Sequence, residues 1–377
     1  MDFSFTEEQQ MLQESVQKFV QKNYDFEVRK KLLDSEKGYS EQNWALFAEL
    51  GWLTVPFAEE DGGFGGSAVD LMVMMEAFGK AMLVEPFLPT TVLAGGLISQ
   101  LGSAEQKAEL LPQIMEGSLQ LACAFGESGS RYNLASVQTS AKTSGDDTVL
   151  NGKKIAVLNG CSADRILVVA RTSGEERDRD GISVFIVSAG EGGVSINRYT
   201  NVDGQRAAEI TLNGVKVSSA KLLGEQGSAL TALETAVDRA TLAVSAEAVG
   251  AMDAMLQKTV EYSKVRKQFG TPIGTFQALQ HRMADMFIEC QLARSIVLMA
   301  AMKLDSGASE TEKAKAVSAA KSRIGRAIRK VGQEAVQIHG AVGVTDELDI
   351  GHLFKRVTAI NVTFGNPDFH TARYSAL

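Results

Sequence analysis

Cysteine is nearly absent from this chain: Cys123, Cys161 and Cys290 stand far apart in 377 residues and form no CxxC pair. A disulfide framework and a thiolate zinc site are thereby excluded, and a reducing compartment fits. His281, His339, His352 and His370 lack metal-ligand spacing, so no metal is expected. Positive charge is also short, with 38 Lys and Arg against 46 Asp and Glu and a formal net charge of -8. That excludes nucleic acid as a general partner, because phosphate binding needs a basic face. No uncharged apolar run reaches membrane-spanning length, and "MDFSFTEEQQ" lacks the basic start and apolar core of a signal peptide. A cytoplasmic protein without a membrane partner is expected. There is no GxGxxG, and the glycine-rich "DGGFGG" at Asp61 to Gly66 is not followed by GK[ST]. It reads as a loop between helices, not as a phosphate cradle.

What the chain does contain is the composition of a soluble globular protein, 45% hydrophobic and 22% charged. Its length calls for more than one packed unit. Residues 1–117 read as helices, opened by a capping box of Thr6 and Gln9, with Met11, Leu12, Val16, Phe19 and Val20 on one face. Residues 118–225 change to short β-type runs such as "DRILVVA", "ISVFIVS" and "AAEITLNGVKV", broken by Gly, Asn and Asp clusters. Within them "SGEERDRDG", Ser173 to Gly181, reads as an exposed hairpin loop. Residues 226–377 return to long helices. Helices, strands, then helices make an α+β chain of three segregated units, and the lack of strand-helix alternation excludes a Rossmann fold.

Two stretches carry the reading further. "EYSKVRKQFGTPIGTFQALQHRMADM", Glu261 to Met286, and "QEAVQIHGAVGVTDELDIGHLFKR", Gln333 to Arg356, lie in one order with the three-unit architecture. Together they resemble the acyl-CoA dehydrogenase family over the whole length. The resemblance implies an N-terminal helical domain, a middle β-barrel or sandwich domain and a C-terminal four-helix bundle. It also implies an FAD enzyme that takes a proton from the α carbon and a hydride from the β carbon of an acyl-CoA, with electron-transfer flavoprotein as acceptor. In that family FAD spans a dimer interface, one subunit holding the isoalloxazine ring and the neighbour's C-terminal helices holding the ADP part. Arg266, Gln268 and Phe269 then match the pyrophosphate and adenine contacts, Gln277 matches a nearby cofactor contact, and Gln337 and Gly340 fall on the second ADP motif. An arginine pairs well with pyrophosphate, and glycine permits close backbone approach. Ala341 stands where the family more often has a second glycine.

The stretch "INVTFGNPDFH" departs from the family. Aligned on the family's Y-E-G-T motif, it puts Phe364 where the general base is a glutamate, and phenylalanine cannot accept a proton. The β segment departs too. "GESGSRYN" puts Gly126 at a flavin-contacting threonine and Tyr132 at a serine. "AVLNG" puts Ala156 at a tryptophan and Leu158 at a threonine, with Asn159 retained. A replacement base is available in principle at Asp238, with Arg239 beside it as a substrate contact and Glu234 one turn earlier, whose like charge would raise the Asp238 pKa.

Three functions remain open. The preferred one is a subunit of a heteromeric acyl-CoA dehydrogenase, supplying ADP-binding helices to a homologous partner that carries the glutamate, with a steroid side-chain or dicarboxylic acyl-CoA as substrate. The second is an active homo-oligomer with Asp238 as base. The third is a non-catalytic scaffold or acyl-CoA binding protein. The basic series Lys313, Lys315, Lys321, Arg323, Arg326, Arg329 and Lys330 reads as a solvated or subunit-facing helix surface.

Overall fold

A computed structural model of the chain describes residues 5–144 and 147–377. The Thr6 hydroxyl accepts from the Gln9 N–H while the Gln9 side chain accepts from the Thr6 N–H, so α1 (Glu7–Asn23) starts at the expected capping box. It is followed by α2 (Phe26–Asp34), α3 (Glu41–Glu49), α4 (Ala68–Ala81), α5 (Gly96–Leu101) and α6 (Ala104–Met115). Strands come next: β1 (Leu121–Ala124), β2 (Ser140–Ser144), β3 (Asp147–Leu158), β4 (Arg165–Arg171), β5 (Ile182–Ser188), β6 (Val194–Thr200), β7 (Arg206–Ser218) and β8 (Leu222–Leu223). Helices then return with α7 (Leu230–Val265). A small hairpin of β9 (Lys267–Gln268) and β10 (Thr271–Pro272) precedes α8 (Gln277–Leu304), α9 (Glu310–His339), α10 (Asp349–Val362) and α11 (Pro367–Ala376). The order of helices, strands and helices is the one expected.

The chain divides into two compact units. One holds Ser67–Leu83 and Thr241–Leu377 with the chain up to Lys31; the other holds Leu32–Gly66 and Val84–Ala240. In the first, helical unit, α4 and α7 approach until their backbones touch. A Cβ on Gly79 would lie 1.9 Å from the Glu247 oxygen, and one on Gly250 1.9 Å from the Glu76 oxygen, so only glycine fits either position. Acids on the same two helices are matched rather than left bare: Glu247 takes two bonds from Arg356 at 2.6 and 2.7 Å, and Glu76 pairs with Arg294 at 2.8 Å. On α9, Ala316, Ala320, Ile324, Ala327, Ile328, Val331 and Ala335 recur at helical spacing and are buried.

In the second unit the expected barrel or sandwich is realised as one eight-stranded sheet of order β6-β7-β3-β2-β4-β5-β8, with β1 paired parallel to β4. Its core is built from Leu150, Val157, Ile166, Val168, Phe185, Ile210 and Leu212. One buried ion pair is set among these strands: Lys154 Nζ lies 2.6 Å from Glu127 Oε1, both side chains almost wholly hidden. The β3–β7 pairing shifts register between Lys154 and Val157, leaving Ala156 at φ +52°. Glycines of the 61–66 loop serve close packing, since a Cβ on Gly63 would meet the Phe57 oxygen at 2.2 Å and one on Gly66 the Val55 oxygen at 2.4 Å. The exposed loop from Ser173 to Gly181 is wrapped on Arg171, whose guanidinium donates to the carbonyls of Ser173, Glu176, Asp178 and Asp180.

Candidate functional site

In the helical unit α7 ends at Val265, and the next residues fold into the β9–β10 hairpin with Phe269 at φ +55° and Gly270 at φ +82°. Two positive φ values at the centre of a two-residue loop suit glycine, and a phenylalanine there carries local strain. The strain presents an aromatic ring to solvent: Phe269 is 92% exposed and meets Phe276 in a T-shaped pair, ring centroids 6.1 Å apart. Arg266, Gln268 and Gln277 are exposed around it. Among the described residues no carboxylate lies within ion-pair distance of Arg266, so its charge is open to an anion. Gln277 occupies the first position of α8, where the positive end of the helix favours negative charge.

The second motif closes on the same corner. Gly340 ends α9 at φ +66°, its N–H donating to the oxygens of Val336 and Gln337. Gln337 and Gly340 face solvent. His339, beside Gly340, stacks on Tyr262 with centroids 4.3 Å apart, and the Tyr262 hydroxyl reaches the His339 carbonyl at 3.4 Å. Tyr262 lies one turn before Arg266, so this stack joins the two motifs through residues 77 apart in the sequence. His339 Nδ1 faces the Ala335 carbonyl at 2.8 Å and therefore carries the proton, while burial lowers the ring's pKa. A face of this ring is thus already used by Tyr262.

Phe364 stands at φ +58° and Gly365 at φ +126° in the turn between α10 and α11. A Cβ on Gly365 would collide with His370 Nε2 at 2.5 Å. The donors holding this turn come from neighbouring helices. Lys321 Nζ reaches the oxygens of Ile360 and Gly365, each at 2.8 Å, and His370 Nε2 reaches the Phe364 oxygen at 3.1 Å. Lys321 is 0% exposed, which corrects its place in the solvated basic series. Sequence reasoning missed it because its i±4 neighbours on α9 are mixed, Val317 on one side and Gly325 on the other.

In the β unit, Gly126 of the loop after β1 lies against the β3 bulge. Ile155 N–H donates to the Gly126 oxygen at 2.9 Å, and a Cβ on Gly126 would press on the Ile155 oxygen at 3.1 Å. Side chains larger than glycine are crowded there. Leu158 is half-buried, and the Asn159 amide is turned to Thr90, Gln120 and the Leu121 carbonyl at 3.2 to 3.3 Å. Tyr132 is half-buried, and burial raises its phenol pKa.

Asp238 is 7% exposed. Arg239 reaches the Gly66 carbonyl at 3.4 Å. The Glu234 carboxylate takes two bonds from Arg179 at 3.0 and 2.8 Å.

Comparison with known proteins finds one family along most of the chain. The family described as "Acyl-CoA dehydrogenase, N-terminal domain" matches residues 6–118, its middle domain 122–219 and its C-terminal domain 227–374. "Probable acyl-CoA dehydrogenase YngJ" of Bacillus subtilis is 30% identical over 373 residues, covering 98% of this chain and 97% of the relative. The crystal structure of the ChsE4-ChsE5 complex from Mycobacterium tuberculosis is similar at TM-score 0.89 and 28% identity, over 100% of this chain and 98% of that one. A Tcur3481-Tcur3483 steroid ACAD variant is similar at TM-score 0.87 and 30% identity, over 98% and 97%.

Proposed function

The chain belongs to the acyl-CoA dehydrogenase family, FAD-dependent oxidoreductases acting on CH–CH bonds, and from that membership we propose that it is one subunit of a heteromeric acyl-CoA dehydrogenase. Its C-terminal helices supply the ADP side of the cofactor site to a homologous partner that carries the catalytic glutamate. Phe364 carries this reading: a side chain without a proton acceptor stands at the family's base position, while Arg266, Gln268, Phe269, Gln277, Gln337 and Gly340 stay exposed and converge on one corner. Those residues fit an ADP group, since Arg266 has an unanswered charge and Phe269 an uncovered ring. Gly126, Ala156 and Leu158 offer no hydroxyl to a flavin ring. When bound, FAD supplies the hydride acceptor for α,β-dehydrogenation. This chain's part is to bind and orient its ADP end.

An apolar stripe on α8 supports a second subunit. Ile288, Leu292 and Met299 recur at helical spacing and are exposed, opposite the buried Met286, Cys290, Ala293 and Val297. Similarity to the ChsE4-ChsE5 complex and to a steroid ACAD favours unequal subunits and a bulky steroid side-chain acyl-CoA, with a dicarboxylic one as the other choice and electron-transfer flavoprotein as acceptor. We place the assembly in the cytoplasm. FAD per chain, measured after purifying the protein alone and after co-expression with a homologue carrying the Y-E-G-T glutamate, tests the assignment. Little flavin alone and a filled site on pairing are expected; one FAD per chain alone sinks it.

The burial of Asp238 favours one competing reading, an active homo-oligomer with that carboxylate as base. Asp238→Asn would then cost about 10²- to 10⁴-fold in turnover with the fold intact. On the paired-subunit reading turnover of the assembled enzyme stays unchanged.

A further inference from the structure

Lys321 sits in the middle of α9 with no exposed surface, and its Nζ is within hydrogen-bond distance of three backbone oxygens: Ile360 at 2.8 Å, Asn361 at 3.3 Å and Gly365 at 2.8 Å. A lysine ammonium has three N–H donors and no acceptor, so these carbonyls occupy all of them. Burial pushes its pKa down to about 7. An apolar side chain would fill the same volume without that desolvation cost. What an apolar side chain could not do is answer the three oxygens. Two of them belong to the last turn of α10, and the third to Gly365 at φ +126°.

His370 on α11 supplies a fourth donor. Its Nε2 faces the Phe364 oxygen at 3.1 Å, and because a carbonyl only accepts, Nε2 carries the proton. Nδ1 faces Ser318 Oγ of α9 at 3.4 Å. Burial, then Lys321, with Arg373 adding to it, pushes this histidine down to about 3, so it remains a neutral donor under ordinary conditions. The oxygens of both positive-φ residues of the turn, Phe364 and Gly365, thus end on donors from other helices. Neither contact uses the side chain of residue 364.

We propose that Lys321 is the positioning residue of the segment Thr363–Gly365: it holds residue 364, at the family's base position, in one left-handed backbone geometry whatever side chain stands there. This rests on the reading that Phe364 occupies the base position. The clasp is made by α9 and α11 with backbone atoms, so it outlasts the exchange of a glutamate for Phe364, and the mount persists where the base has gone.

Hydrogen exchange of the full chain, followed on peptides, tests the clasp. The Thr363 and Gly365 N–H groups are bonded inside the turn, to the oxygens of Ala359 and Ile360 and of Val362. In Lys321→Met the peptide covering residues 360–366 should exchange roughly tenfold to a hundredfold faster, as expected when paired buried carbonyls lose their donors. Peptides of α8 around Cys290 and Val297 should change far less. Lys321→Gln keeps N–H donors on a shorter side chain and should restore part of the protection, which also provides a variant if Lys321→Met does not fold. Unchanged exchange at 360–366, or equal acceleration throughout the helical unit with no recovery in Lys321→Gln, would make Lys321 mere filling and overturn the proposal. The measurement needs neither flavin nor partner. Failure of the paired-subunit reading, seen as FAD filling the unpaired chain, is therefore scored separately.

Discussion

Lys154→Met lowers the stability of the sheet-containing unit by about 3–5 kcal/mol, because it strands a buried carboxylate. Glu127 Oε1 lies 2.6 Å from Lys154 Nζ and also accepts from the Thr139 N–H at 3.0 Å, while Oε2 accepts from the Gln138 N–H at 2.7 Å. Burial pushes this carboxyl's pKa up, yet the lysine charge and the three donors outweigh it and hold it below the ordinary value. The pair is therefore ionic in the folded chain. Its contribution is fully present above the unfolded carboxyl pKa near 4.5 and is lost as pH falls through the lower folded value. Removing the lysine leaves burial as the main influence, so the folded pKa of Glu127 moves above its unfolded one. The folded state then binds the extra proton, and the stability deficit of Lys154→Met relative to the parent chain should shrink as pH falls from 7 toward 5. Urea unfolding at several pH values reads both slopes. Lys154→Met with Glu127→Gln together should recover most of the loss, since no bare charge remains; equal losses in the single and double variants would show that the pair is not coupled.

Legibility in the sequence followed the range over which each signal acts. The Thr6 and Gln9 capping box and the apolar face of α1 are local, and both were readable. Runs such as "DRILVVA" announced β4, because a strand buried at nearly every position needs β-branched and aliphatic residues throughout. Contacts between distant segments were not readable. Nothing in "TALETAVDRA" tells that Glu234 faces Arg179, which lies in the Ser173–Gly181 loop 55 residues away. Lys321 looked like one charge among seven on a basic helix, and only the turn of α10 and α11 over it makes it a buried donor. The two stretches proposed to bind ADP were visible as strings, but the Tyr262–His339 stack that brings their ends together is a tertiary contact. The glycines divide in the same way. Gly270 follows from a two-residue hairpin turn, whereas Gly79 and Gly250 answer to a helix crossing that no local pattern announces.

Arg266→Glu in this chain should empty the flavin site of the paired enzyme, even though the partner keeps its own glutamate and its own ring-binding residues. The exposed Arg266 meets no carboxylate among the described residues, so its charge is not committed inside the chain. A hydrogen bond from an ionised donor contributes about 1.5–3 kcal/mol, and an arginine on a pyrophosphate can make two. Losing one such contact weakens binding roughly tenfold to more than a hundredfold, and a carboxylate facing the phosphates adds repulsion. FAD affinity of the co-expressed complex, measured by flavin fluorescence on titrating the stripped enzyme, should fall by at least about a hundredfold. Lys18→Glu, the same charge change at the exposed end of an ion pair with Glu14 on α1, should leave it unaltered. Residue 364 provides the opposing control. Phe364→Glu puts a carboxylate on a mount that Lys321 and His370 already hold, but it restores no hydroxyl at Gly126, Ala156 or Leu158, so flavin content should not rise. If Arg266→Glu keeps its flavin, the ADP end lies elsewhere and the exposed ring of Phe269 must answer to a different ligand. If it loses flavin while Phe364→Glu gains none, the chain's role is fixed at the far end of the cofactor from the reacting carbon atoms, which is where a subunit without a base can still be indispensable.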